Sequence, residues 1–138
     1  MAWTDDIKDS LRTSPKVFEK VITSAANAGQ IDIGTVSLGP VLVQEVILKS
    51  NSTTTTDFTN AAITGGASAT PTTFNHIPSS LGIRANLNAE GKQVWSDDHQ
   101  YMHPGDKIII NLSGTGATAV NFDVIVKYSS NYDYGVIS

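Results

Sequence analysis

Apolar and polar residues alternate most cleanly toward the C-terminal end of the chain. Between Gly105 and Tyr128, Ile108, Ile110 and Leu112 alternate with Lys107, Ile109, Asn111 and Ser113. Val120, Phe122, Val124, Val126 and Tyr128 then alternate with Asn121, Asp123, Ile125 and Lys127. A period of two puts one set on a buried face and the other mostly in water. Ser113-Gly114-Thr115-Gly116-Ala117 supplies turn residues between the runs. The pattern predicts a β-hairpin of a half-solvated antiparallel sheet.

The same reading extends upstream. Residues 30–36 predict a strand, and Ser37-Leu38-Gly39-Pro40 predicts a break. Residues 41–50 predict a longer strand with Val41 and Val43, then Val46 and Leu48, facing inward. The apolar phase slips at Gln44-Glu45, which a β-bulge explains. Residues 51–56 read as a polar turn, and 57–64 as a shorter strand around Phe58, Ala61 and Ile63. Residues 65–80, rich in Gly, Ser, Thr and Pro, predict a long surface loop carrying Phe74, His76 and Ile77. Residues 81–89 alternate again, with Leu81, Ile83, Ala85 and Leu87 on one face. Glu90-Gly91 turns the chain into a strand over 92–96, and 97–106 form a polar, aromatic connection.

Seven or eight strands with no helices between them argue against a parallel α/β sheet. The expected fold class is all-β, an antiparallel β-sandwich or jelly roll. Its core is expected to include Ile83, Leu87, Ile108, Ile110, Leu112, Phe122, Val124 and Val126.

Residues 1–29 differ and are read as a short N-terminal helical or extended leader, ahead of a β-sandwich domain over 30–138. Trp3, Ile7 and Leu11 recur at four-residue spacing, one apolar stripe of a short helix. Thr4 suits an N-cap, and Asp5 and Asp6 suit the first turn. Ser14-Pro15 reads as a second helix start, with Val17, Phe18, Val21 and Ile22 on its apolar side. Two roles stay open: a lid closing one face of the sheet, or an arm docked on a neighbouring subunit.

Composition narrows the function classes. The chain has 138 residues, enough for one domain with a real core. Charged residues make up only 16%, below the usual quarter. Ser and Thr, about a fifth of the chain, take their place and suit pleated surfaces and interfaces with other protein. Net charge is −4 and the nine Lys and Arg are scattered, so nucleic acid is not an expected partner. Cysteine is absent, which excludes disulfides and zinc thiolates. The first residues lack a basic-then-apolar signal pattern. No purely aliphatic run exceeds three residues, as at 108–110, so no membrane partner is expected.

Catalytic signals are weak. Asp97, Asp98, His99, His103 and Asp106 bring together residue types that bind zinc, iron or manganese. On a strand, however, His99 and His103 stand roughly 13 Å apart, too far for one ion without a sharp bend. A solvated or interface loop is the simpler reading. No Gly-x-Ser-x-Gly elbow occurs, and neither Gly65-Gly66 nor Gly114-x-Gly116 opens a predicted helix. No catalytic residue, cofactor or metal ligand is assigned. Trp3, Trp95, Tyr101, Tyr132 and Tyr134 form an aromatic set outside the clear core strands, suited to packing, interface anchoring or stacking on sugars. The polar tail 129–138 ends in Val136 and Ile137, which would dock on a partner or fray.

A leader precedes GTVSLGPVLVQEVILKSNSTTTTDFTNAAITGG, a hydroxyl-rich loop follows, and the chain closes with HPGDKIIINLSGTGATAVNFDVIVKYS. This layout resembles capsid decoration, or cement, proteins of tailed bacteriophages, over most of the chain. The resemblance implies a non-enzymatic virion protein with a jelly-roll or β-sandwich body. Such a protein assembles in the host cytoplasm, sits on the capsid surface and bridges neighbouring capsomers. The implied partners are a major capsid protein and the chain itself, as homodimer or homotrimer. The residues read as partner-binding are Trp3, Ile7, Leu11, Trp95, Tyr101, Tyr132, Tyr134 and Ile137. A carbohydrate- or receptor-binding module of a phage fibre is the alternative, resting on Trp95 and Tyr101. A metal-dependent jelly-roll enzyme would require His99, His103 and a carboxylate to converge.

Overall fold

A computed structural model describes residues 15–22, 29–51, 58–114, 121–130 and 134–138. Within them lie nine strands and one short helical turn. The strands are β1 (Lys16–Ile22), β2 (Gly29–Ser37), β3 (Val41–Ser50), β4 (Asn60–Gly66) and β5 (Phe74–Ile77). The turn α1 (Arg84–Leu87) precedes β6 (Gln93–Met102), β7 (Lys107–Ser113), β8 (Phe122–Ser130) and β9 (Val136–Ile137). They form a four-stranded sheet ordered β1-β8-β3-β6 and a five-stranded sheet ordered β5-β4-β7-β2-β9. Every pairing is antiparallel.

The fold is the expected all-β sandwich, because alternation gives each sheet one apolar face. Val41, Val43, Val46 and Leu48 of β3 sit beside Phe122, Val124, Val126 and Tyr128 of β8. Ala61 and Ile63 of β4, with Ile108, Ile110 and Leu112 of β7, belong to the same core cluster. Each such side chain contributes roughly 1.5–3 kcal/mol on full burial, so this layer holds the domain together. Phe58 and Phe122 meet edge to face at 5.5 Å between centroids. The Ile137 N–H donates to the Tyr128 hydroxyl at 3.2 Å, tying the C-terminus to the core.

The bulge is where the phase slip puts it. Pairing of β3 with β8 shifts register between Val43 and Glu45, so the buried phase moves from Val41 and Val43 to Val46, Leu48 and Ser50. Pairing of β3 with β6 shifts at the same point. There His99 adopts φ 36°, in the left-handed region that few non-glycine residues enter.

Five local expectations are corrected. First, β7 and β8 are not a hairpin. Strand β7 pairs with β2 and β4 in one sheet, and β8 with β1 and β3 in the other. Alternation marks a strand but does not choose its partner. Second, Lys16–Ile22 is the edge strand β1, paired with β8, and not a helix begun at Pro15. Its apolar residues fit a helix stripe, but a free sheet edge rewards extension through backbone hydrogen bonds. Third, 81–89 form a turn and α1; Leu87 is buried, whereas Ile83 is 38% exposed. Gly82 holds this segment close: its carbonyl accepts from the Ala61 N–H at 2.7 Å. A Cβ there would stand 1.8 Å from the Ala61 oxygen. Fourth, the 65–80 loop contains β5. Fifth, Asp97–Met102 is the second half of β6 rather than a connection.

Candidate interaction surface

Strand β6 lies at an edge of the four-stranded sheet and presents alternate residues to opposite sides. Val94, Asp98 and Met102 are buried, while Trp95 and Tyr101 are 57% and 61% exposed. Six residues separate the two rings, about 20 Å along a strand. They therefore mark opposite ends of one edge and do not form a single aromatic strip.

Around Tyr101 the chain gathers further exposed apolar groups. Tyr101 pairs with Leu42 in register, and a small cavity beside it is lined by Pro40, Leu42, Ser129 and Ser130. Tyr134 packs over the Ser37–Pro40 turn, its Cβ 3.3 Å from where a Cβ on Gly39 would lie. In that turn Leu38 is 80% exposed and held at φ 68°. A large aliphatic side chain in water on a left-handed backbone is doubly unfavourable. Sequence reasoning treats Leu38 as part of a break; the available signal is an apolar residue inside a Ser-x-Gly-Pro turn.

Ile137 is 5% exposed and packs in the chain's own core, paired with Val36. Trp3, Ile7, Leu11 and Tyr132 lie outside the described residues.

The outer face of the four-stranded sheet is mixed. Val17 and Val21 of β1 are 62% and 48% exposed. Lys127 Nζ lies 3.5 Å from Glu45 Oε1, an exposed pair worth at most about 1 kcal/mol. Asp123, between Val21 and Lys49 in register, has its Oδ1 buried without a hydrogen-bond partner. Its pKa is raised to about 6, chiefly by burial, then by a hydrogen bond with Glu19 and that residue's charge, against the pull of Lys49.

The aspartate and histidine group does not converge. Asp97 and His99 point outward, Asp98 inward, and the His103 N–H donates to Asp106 Oδ2 within a tight turn at 2.8 Å. Among the described residues no three His, Asp or Glu side chains gather as a metal site. Asp98 instead pairs with His76 Nδ1 inside the sandwich. His76 is fully buried on β5, not in a loop. The sequence carries little signal for it: two polar residues separate Phe74 from Ile77, so β5 shows no period-two alternation, and its surroundings are rich in Gly and Thr. Asp98 shares the inward phase of Val94 and Met102.

No protein-family model matches the chain, and no curated protein matches it by sequence. Solved structures do match by fold. A chain in the cyanophage Pam1 capsid asymmetric unit aligns at TM-score 0.57 and 14% identity, covering 86% of each chain. One in the acid-stable capsid of Helicobacter pylori bacteriophage KHP30 aligns at 0.54 and 14% identity, covering 92% of this chain and 94% of that one. One in the capsid of Ralstonia phage GP4 aligns at 0.52 and 18% identity, covering 86% and 84%. At these identities the fold is what is shared, and it extends over nearly the whole length of chains found in phage capsids.

Proposed function

We propose that this chain is a non-enzymatic structural protein of a bacteriophage virion, binding the outer capsid surface and stabilising contacts between capsomers. Support for the virion role is a near full-length fold shared with chains from three phage capsid structures. The observation that carries the contact surface is Leu38, exposed and on a left-handed backbone in the turn that Tyr134 packs over, just ahead of the Pro40 that lines the cavity beside Tyr101. Such a patch loses exposed apolar area when a partner covers it, and its two tyrosines suit anchoring at a partly wet interface. The partners are a major capsid protein and further copies of this chain, as homodimer or homotrimer. Many copies on one shell turn modest contacts into firm attachment. The leader, with Trp3, Ile7 and Leu11, adds reach to a neighbouring subunit, and the low charge suits a surface destined for burial. Capsid assembly places this step in the host cytoplasm.

The test mixes purified full-length protein with heads stripped of accessory proteins and measures what sediments. Saturable co-sedimentation, together with greater resistance of the heads to heat, is expected. Protein that stays in the supernatant at all concentrations removes the capsid reading.

A further inference from the structure

The end of β6 remote from Tyr101 carries a second concave feature. The groove between α1 and the start of β6 has a volume of about 460 Å³, within the range of small-molecule sites. Leu81, Ala85 and Val94 line its apolar part together with the exposed Trp95. Its polar groups are Asn86, Lys92 and Gln93. No carboxylate lines it.

These polar groups are partly pre-set. Lys92 Nζ donates to Ala85 O at 3.0 Å and to Asn88 Oδ1 at 2.9 Å, which leaves its third N–H for a ligand. Asn86 Nδ2 donates to Leu81 O at 2.9 Å, which fixes the amide and leaves an oxygen acceptor and a second N–H. Gln93 is exposed and supplies both a donor and an acceptor. The groove therefore offers both donors and acceptors together with one flat aromatic ring.

We infer that this groove binds a small saccharide, stacked on Trp95 and hydrogen-bonded by Gln93, Asn86 and Lys92. Sugar hydroxyls both donate and accept, matching carboxamides better than any single-sign ligand. A ring's C–H face packs on an indole. A nucleotide fits worse: it needs more cationic partners than the one ammonium, on a chain of net charge −4. The groove lies about 20 Å from Tyr101, so a saccharide and a shell contact do not compete.

Saturation-transfer difference NMR on the isolated full-length protein tests the inference, with no capsid present. The probes are glucose, galactose, mannose, N-acetylglucosamine and their disaccharides. At least one should receive saturation. Trp95→Ala should weaken it about threefold to tenfold, the loss of one stacking contact. Gln93→Ala should weaken it less, and Trp95→Phe should retain part of it. Unchanged circular dichroism and melting establish that the variants fold. Absence of saturation for every probe overturns the inference, as does a signal that survives in folded Trp95→Ala. Because the capsid is absent, failure here leaves the sedimentation result standing.

Discussion

His76 Nδ1 and Asp98 Oδ2 are hydrogen-bonded in the interior, joining β5 of one sheet to β6 of the other. The pair is almost wholly buried, and His76 Nε2 has no hydrogen-bond partner. Two polar groups in an apolar layer bind tightly to each other because neither has water as an alternative. They also fix the register of one sheet over the other, since a slip would leave a carboxylate alone in the core.

Removing one member should therefore cost more than a surface bond would. Asp98→Ala is expected to lower unfolding stability by about 3–5 kcal/mol. His76→Ala should do the same, while the double variant His76→Leu/Asp98→Leu should recover much of the loss. Urea unfolding of the three variants measures this. A double variant that loses the sum of the two single losses would show that the pair has no energetic coupling.

Phe122 is fully buried and packs edge to face on Phe58. Phe122→Ala should cost roughly 3–5 kcal/mol. Far-ultraviolet circular dichroism of the folded protein should retain a strand-dominated signature. A helix-dominated spectrum would contradict the sandwich.

These two sites show what the sequence makes legible. Phe122 sits in a run of five alternating residues, and period-two spacing is a local property of the chain. The bulge at Gln44-Glu45 was visible for the same reason, as a change of phase within one strand. Strand pairing is not local. Nothing in 105–128 says that β7 joins β2 and β4 while β8 joins β1 and β3. Val17, Phe18, Val21 and Ile22 suit a helix stripe, and only the edge of β8 makes them a strand. His76 reads from sequence as part of a surface loop and Asp98 as part of a polar connection; 22 residues separate them, and their meeting depends on how two sheets stack.

Asp123 predicts a pH dependence. Its folded pKa is about 6 against an ordinary 3.8, so folding favours the protonated form. Its contribution is fully present below about pH 3.8 and is lost as pH rises through about 6. Asp123→Asn removes the cost of ionising the group. The variant should be more stable than the parent at pH 7, by a few tenths to about 1 kcal/mol for this half-exposed site. The difference should shrink toward pH 4. Thermal melts at pH 4, 5, 6 and 7 check this, and a gap that widens toward acid would refute the assignment.

Leu38 separates stability from attachment. At φ 68° and 80% exposure it helps the fold little. Leu38→Gly relieves the left-handed strain and should leave stability unchanged or raise it by up to about 1 kcal/mol. If this end of the sandwich contacts the shell, the same change removes an apolar anchor, and co-sedimentation with bare heads should fall. Tyr101→Ala and Tyr134→Ala should fall further, because anchoring aromatics typically dominate an interface. Deleting residues 1–13 should leave the sandwich folded and also weaken attachment. A Trp95→Ala control, about 20 Å away along β6, should bind heads like the parent. Full binding by Leu38→Gly, Tyr101→Ala and Tyr134→Ala alike would move the capsid contact to another face. Loss of binding in Trp95→Ala alone would place it at the opposite end of β6.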